Sequence, residues 1–329
     1  MRENWDRQGA EIAVDRAAIS ALLQPAFSRP VDISRIDRVS GGLVNTNIKV
    51  TLSDDEAAVL LRIYQRGAKE GLKEAAILRR LAGHVPVPEL LFAAEHNPIT
   101  GHAYSILRWI EGRSLDGLAR AGEELASAAR GLGEALANVH AMKFQRFGYL
   151  NPELNIQDRI DFDRAGLLAY LDNFLVGGVG PDRLGRDLLA AIRRLVERQG
   201  DRIASWPGAP CLVHGDCNGS NLIVARTRAG QWELAAMLDW EFAFSGAPGF
   251  DFAHFLRPPL DVHAAFGDVA AASYRAAGGM LPANWRAIAR FTDLFAWIDI
   301  VARADSSDQL TADARDAIAR IVSEQMAGQ

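Results

Sequence analysis

Residues 211–241 hold three short apolar runs, at 211–213, 222–224 and 234–238; a polar turn carrying His214, Asp216, Asn218 and Asn221 separates the first two, and the third ends on Asp239-Trp240-Glu241. Apolar runs this short, bounded by Gly, Asn and Asp, read as strands, so the segment is strand, loop, strand and hairpin. That arrangement limits what the chain can become. A carboxylate and an amide five residues apart on one loop can face the same small volume, Asp216 accepting a proton while the carbonyl oxygen of Asn221 binds a hard cation. Asp239, at the end of the next hairpin, is placed to offer a second metal-binding oxygen.

The order Asp216-x4-Asn221 and then Asp239 is the kinase order of base, metal amide and metal carboxylate. His214-Gly-Asp-Cys-Asn-Gly-Ser-Asn221, Leu238-Asp-Trp-Glu241 and Gly249-Phe-Asp-Phe-Ala253 together resemble the aminoglycoside phosphotransferase and choline kinase branch of the protein-kinase-like fold. The resemblance implies an α+β bilobal protein, with a small β-rich N-terminal lobe and a larger, mainly helical C-terminal lobe. It also implies transfer of the γ-phosphate of ATP (or GTP), with Mg²⁺, to a hydroxyl group. Asp216 is then the catalytic base, Asn221 and Asp239 are the metal ligands, His214 braces the loop from beneath, and Asp251 holds it through backbone N–H groups.

Upstream, strand patterns at 31–39 and 48–52 flank Ser40-Gly-Gly-Leu-Val-Asn-Thr-Asn47. Small residues let backbone N–H groups approach an anion; Gly41 and Gly42 meet that need while Ser40, Asn45 and Thr46 add donors, although a plain hairpin turn fits the same residues and the full G-x-G-x-x-G pattern is absent. The family's loop is similar in being Gly-Gly followed by Asn. Arg62 interrupts the apolar run 57–64, and Glu74 lies in the helical pattern 69–81. In the kinase fold a basic residue on the third strand holds phosphates and pairs with a Glu on the next helix. Arg62 departs from the usual Lys, and an edge-strand Arg with a solvated Glu is the alternative.

Gly112, in Leu107-Arg-Trp-Ile-Glu-Gly-Arg113, marks the expected hinge, where backbone groups of Arg108, Trp109 and Ile110 would meet the adenine edge. The expected division is 1–107 for the nucleotide-binding lobe, 108–113 for the hinge and 114–329 for the catalytic and acceptor-binding lobe. Helical patterns occupy 13–24, 123–142, 158–176, 180–204, 261–277, 284–303 and 310–326. His140, within the second, reads as a core or capping histidine. Asp293 and Trp297 are four apart and share a helix face, so a carboxylate beside an aromatic plane could hold an ammonium group of an acceptor, unless Asp293 merely pairs with an Arg such as Arg290. Glu241 is a further candidate on the acceptor side.

A net charge of −5 provides no basic field for nucleic acid or an anionic membrane, and it is compatible with a cationic small molecule. No apolar run of 18 residues or more occurs, and the charged N-terminus has no apolar export core, so the expected location is cytoplasmic. The two cysteines, Cys211 and Cys217, lack zinc-site spacing and read as reduced thiols. No APE-type docking element is present, so the acceptor is expected to be a small molecule and not a protein. An aminoglycoside-like antibiotic leads the acceptor classes, with choline, homoserine, sugar and macrolide acceptors as alternatives. Two other readings are a metal-dependent hydrolase with His214, Asp216, Asp239, Asp251 and His254 as ligands, and a nucleotide-binding regulator without catalysis.

Overall fold

The structure is a computed structural model that describes residues 11–39, 44–53, 58–173, 179–304 and 306–327; Ser40, Gly41 and Gly42 lie outside the described residues. The first part of the chain is an antiparallel sheet with a helix on one side. Helix α1 (Arg16–Leu23) starts where the Asp15 carboxylate accepts from Ala18 N at 2.8 Å. Strands β1 (Ile33–Arg38), β2 (Thr46–Leu52), β3 (Ala58–Ile63), β4 (Leu90–Ala94) and β5 (Tyr104–Arg108) form one sheet in the order β1-β2-β3-β5-β4. In β2 the side chains alternate strictly, with Thr46, Ile48, Val50 and Leu52 buried. In β3 the alternation fails at Leu61-Arg62-Ile63, all buried. Ile19, Leu22, Leu23, Ile48, Val50, Val59 and Leu61 make the core of this lobe.

Helix α2 (Ala68–Leu81) connects β3 to β4. Its buried face comprises Gly71, Lys73, Glu74, Ala75, Ile77, Leu78 and Leu81, a stripe turned away from Leu72 and Ala76, so two charged residues point inward. Ile77, Leu78, Leu81 and Val85 pack into the core of the second lobe, so an apolar seam runs across the expected lobe boundary.

Beyond β5 the chain pairs at once with the hairpin that precedes Asp239. The two-residue strand β6 (Arg113–Ser114) lies antiparallel to β10 (Leu222–Arg226), which pairs in turn with β11 (Trp232–Met237). Ser114 then caps α3 (Leu115–Arg120), accepting from Gly117 N. A third sheet, in the order β8-β7-β12-β9, contains β7 (Gly148–Leu150), β8 (Ile156–Arg159), β9 (Cys211–Val213) and β12 (Phe244–Gly246). The rest of the lobe is helical, with α4 (Ala126–His140) packed on β9 and β11, and α5 (Arg164–Leu171), α6 (Gly180–Leu184), α7 (Arg186–Gln199), α8 (Gly249–Phe255), α9 (Ala264–Ala276), α10 (Trp285–Ala302) and α11 (Asp308–Ala327) packed mainly against other helices.

Three sequence expectations change here. The helix expected from 158 begins only at Arg164, where Asp163 caps it by accepting from Gly166 N at 2.8 Å; residues 156–159 instead pair with β7. The helix expected over 180–204 is broken at Gly185, whose φ of +77° ends α6 before α7 begins. Helix α8 was not foreseen, because its seven residues are all buried and show no amphipathic period. Among the described residues no helix is long and apolar enough to cross a membrane.

Candidate active site

Strand β9 delivers the chain into the loop 214–221, and Asp251, in the first turn of α8, sets the shape of that loop. One Asp251 oxygen accepts from His214 N at 2.9 Å and the other from Gly215 N at 3.0 Å. His140 Nε2 lies 3.0 Å from the first of these oxygens, and its Nδ1 is 2.9 Å from the Tyr274 hydroxyl. Asp251, His140, His214 and Tyr274 are buried, so a carboxylate in the core is satisfied by three donors. His214 Nε2 lies 2.8 Å from the Leu238 carbonyl, which can only accept; the proton is therefore on Nε2, and Nδ1 can accept from Asp216 N at 3.3 Å. Gly215 has φ +75°, and a Cβ there would lie 2.4 Å from the Phe242 carbonyl oxygen, so both conformation and space demand glycine.

Asp216 stands half-buried at the head of the loop. Its Oδ1 accepts from Asn218 Nδ2 at 2.5 Å and its Oδ2 from Asn221 Nδ2 at 2.9 Å. Because the Asn221 nitrogen faces Asp216, its carbonyl oxygen is turned the other way. The Asn221 backbone carbonyl accepts from Leu238 N at 2.8 Å, which joins the loop to the strand end carrying Asp239. Asn218 is part of the constellation although the sequence reading gave it no role; its Oδ1 accepts from Ser220 N at 3.2 Å.

Asp239 has φ +67°, a left-handed backbone in a residue other than glycine. Its Oδ1 lies 2.6 Å from Arg62 Nη2, whereas Arg62 Nη1 is 3.4 Å from Glu74 Oε1. Burial works to lower the pKa of the Arg62 guanidinium, and Asp239, Glu74 and Glu241 outweigh it and raise the value further. Glu74 also accepts from Trp240 N at 2.9 Å and from the Tyr64 hydroxyl, which is itself 3.0 Å from Ser105 Oγ. Gly71 makes room for this: a Cβ there would lie 2.5 Å from the Tyr64 ring.

Glu241 does not open toward an acceptor. It is buried, its Oε2 accepts from Asn45 Nδ2 at 2.8 Å, and it lies 4.0 Å from Arg62 Nη2. Burial and the Asp239 charge push its carboxyl up to about 7. Asn45 Oδ1 in turn accepts from Gln65 N at 3.2 Å, so this side chain ties the small lobe to the segment that carries Glu241.

The sequence pattern of the phosphotransferase enzyme family matches residues 35–291. The chain belongs to that family. Among solved structures it is similar to the GDP complex of aminoglycoside 2'-phosphotransferase-IIIa (TM-score 0.71, 15% identity, 94% of this chain and 99% of that one). It is also similar to a thermostable mutant of aminoglycoside phosphotransferase APH(4)-Ia with ADP and hygromycin B (TM-score 0.68, 21% identity, 93% of this chain and 98% of that one). The fold is accordingly bilobal and protein-kinase-like. No curated protein sequence matches the chain.

Other expected site residues of this phosphotransferase fare unevenly. At the hinge, Arg108 N donates to the Glu89 carbonyl at 2.8 Å and Trp109 N to the Ala58 carbonyl at 3.0 Å, so both N–H groups are spent on the sheet; Ile110 N–H takes no partner among the described residues. Asp293 and Trp297 do share a helix face, Trp297 Nε1 lying 2.9 Å from Asp293 Oδ2, but they do not line an open acceptor pocket. Both are buried, the Arg257 guanidinium lies 4.4 Å from the Trp297 ring centre, and its nitrogens are 2.6 and 2.8 Å from Asp293 Oδ1. The aromatic–carboxylate pair holds a cation, and that cation is the chain's own arginine. Arg290, the pairing partner considered in the sequence, is more distant at 3.6 Å.

The hydrolase ligand set also dissolves. His214 and Asp251 are committed to shaping the loop, and among the described residues no group of three His, Cys, Asp or Glu is placed to hold a metal ion. Cys211 and Cys217 are free, buried thiols; burial pushes Cys211 up to about 12 and Cys217 well above its ordinary value.

Proposed function

We propose that this phosphotransferase moves the γ-phosphate of ATP or GTP to a hydroxyl of a small molecule, with an aminoglycoside-like amino sugar as the leading acceptor class. The reading rests on one convergence. Asp216, Asn221 and Asp239 are joined through the Asn221 amide at 2.9 Å and the Leu238–Asn221 backbone bond at 2.8 Å, and Arg62 reaches Asp239 from the opposite lobe at 2.6 Å. A base, two hard oxygen donors and a phosphate-binding cation thus meet at the lobe interface.

In this reading residues 1–107 and 114–329 enclose the nucleotide, with the adenine edge against the 108–113 hinge. The donor set fits Mg²⁺: an amide oxygen turned away from Asp216 and a carboxylate oxygen, both hard, are what an octahedral ion uses alongside substrate phosphates. Asn221 and Asp239 would hold the ion, and when bound it neutralises charge on the transferring phosphates. Asp216 orients the acceptor hydroxyl and accepts its proton, its own oxygens being fixed by Asn218 and Asn221. Arg62, its fork held by Asp239 and Glu74, supplies positive charge beside the nucleotide phosphates. His214 and Asp251 keep the loop in shape without touching substrate.

Support for the acceptor class comes from two sides. The net charge of −5 attracts a cation, and structural neighbours were solved with hygromycin B and with kanamycin. A cytoplasmic location, where nucleoside triphosphates are available, fits the same reading. The test is nucleotide consumption by the purified protein across aminoglycosides, macrolides, amino alcohols and sugars, each with ATP and with GTP. Turnover with an amino sugar that depends on Mg²⁺ is expected; turnover only with an uncharged or non-sugar acceptor would replace the acceptor class, and hydrolytic activity without nucleotide would replace the reading.

A further inference from the structure

Residues 239–243 follow the large lobe's hairpin in sequence, and besides the local bonds of Trp240 Nε1 to the Met237 carbonyl and of Ala243 N to the Trp240 carbonyl, four of their polar contacts run to the small lobe. Asp239 meets Arg62, Trp240 N meets Glu74, Glu241 meets Asn45, and the Ala243 carbonyl accepts from Lys73 Nζ at 3.1 Å. Lys73 and Glu74 are neighbours on α2. Glu74 takes the N–H of the first residue of the turn Trp240–Phe242, and Lys73 takes the carbonyl just past its last. One helix therefore grips both ends of the turn.

Lys73 is costly where it stands. It is 9% exposed, and burial lowers its pKa against the opposing pull of Glu70, Glu241 and Glu74. A buried ammonium is tolerated when hydrogen-bonded, and its bond here is to a neutral backbone carbonyl and not to a carboxylate. That partner holds a piece of backbone in place and adds no ion pair. The backbone in question needs holding: Asp239, four residues upstream of Ala243, has φ +67° and ψ +68°. For a residue other than glycine such a conformation is uncommon, and it persists only where the surroundings over-determine it.

We infer that Lys73 is a positioning residue for the Asp239 carboxylate, acting through Ala243 and the intervening turn. The inference rests on the phosphotransfer reading given above. Lys73→Met keeps the length of the stem and removes the donor; Lys73→Arg keeps a donor. Two measurements separate the possibilities: backbone hydrogen exchange of residues 239–243 in the nucleotide-free protein, and calorimetric binding of Mg²⁺ with AMP-PNP or its guanine counterpart.

Lys73→Met is expected to speed exchange in residues 239–243 with the rest of the chain unchanged, and to weaken Mg²⁺-nucleotide binding about 10-fold or more, as loss of a supporting contact behind a metal ligand does. Lys73→Arg should recover most of both. Unchanged exchange or unchanged binding in Lys73→Met overturns the inference, and so does exchange that rises throughout the molecule without rescue by arginine, which marks a general packing role. If the methionine variant does not fold, Lys73→Gln, too short to reach Ala243, takes its place under the same criteria. Wild-type protein that binds no Mg²⁺-nucleotide sinks the phosphotransfer reading and this inference with it; wild-type binding that Lys73→Met leaves intact sinks this inference alone.

Discussion

Arg62 lies nearer to Asp239, at 2.6 Å, than to Glu74, at 3.4 Å, so the strand arginine spans the two lobes and does not serve its helix partner alone. Three carboxylates, Asp239, Glu74 and Glu241, raise its pKa, and it in turn offsets their mutual repulsion. Arg62→Met should therefore cost about 3 kcal/mol of stability, the range seen when one partner of a buried ionic group is removed. Adding Glu241→Gln should recover part of that loss, and a double-mutant cycle followed by denaturant unfolding measures the coupling. Strict additivity would place the two residues in separate networks.

Asp216→Asn is expected to slow turnover by about 10²- to 10⁴-fold while nucleotide binding stays near normal, because proton acceptance and hydroxyl alignment are lost and no phosphate contact is. Pre-steady-state turnover and calorimetry read the two effects separately. Retention of more than a tenth of the wild-type rate removes Asp216 from the role of base.

Asp251→Asn leaves one oxygen where two now serve His214 N, Gly215 N and His140. An NH₂ group then faces a backbone donor in a fully buried site. A destabilisation of about 1–3 kcal/mol is expected. The denaturant midpoint should fall with an unchanged slope; an unchanged midpoint would mean that the loop is held by other contacts.

Glu241 gives the protein a pH dependence whose sign follows from its raised pKa. Between the ordinary value of 4.5 and about 7 the native state holds a proton that the unfolded state has released. Stability of the metal-free protein is therefore expected to fall as pH rises through that window and to level off above it. Glu241→Gln keeps an acceptor for Asn45 and should be more stable than wild type at pH 8, the difference closing toward pH 5. Thermal unfolding across that range checks it, and a difference independent of pH would assign it to packing.

Asp293→Asn should lower stability by about 2 kcal/mol through its buried contacts with Arg257 and Trp297, and leave the half-saturation of any acceptor unchanged. A selective change in acceptor affinity, with stability intact, would restore Asp293 to the acceptor site.

The residues proposed for catalysis and metal binding were more legible in the sequence than the contacts that surround them. Asp216, Asn221, Asp239 and Asp251 lie in short motifs whose spacing a loop or strand end translates directly into geometry. Arg62 stood out because a charge in an apolar strand demands a partner. Lys73 did not, since helical periodicity is read from apolar residues and a lysine on the inward face looks like one in solvent. The Asn45–Glu241 and Lys73–Ala243 contacts join residues 196 and 170 apart, separations at which neither periodicity nor motif carries information. For Asp293 and Trp297 the shared face was readable from their spacing; the occupant was not, because Arg257 comes from 36 residues earlier, in the loop that follows α8.

The Arg257 guanidinium, seated on the Trp297 ring and clasped by Asp293, amounts to a guest carried permanently inside its own host. Cutting the tether by Arg257→Ala would leave a receptor whose walls already match a small planar cation. Free guanidinium at millimolar concentration, well below denaturing levels, should then refill it and raise the melting temperature of the variant while leaving the wild type unmoved, turning a packing detail of the large lobe into a chemically addressable switch.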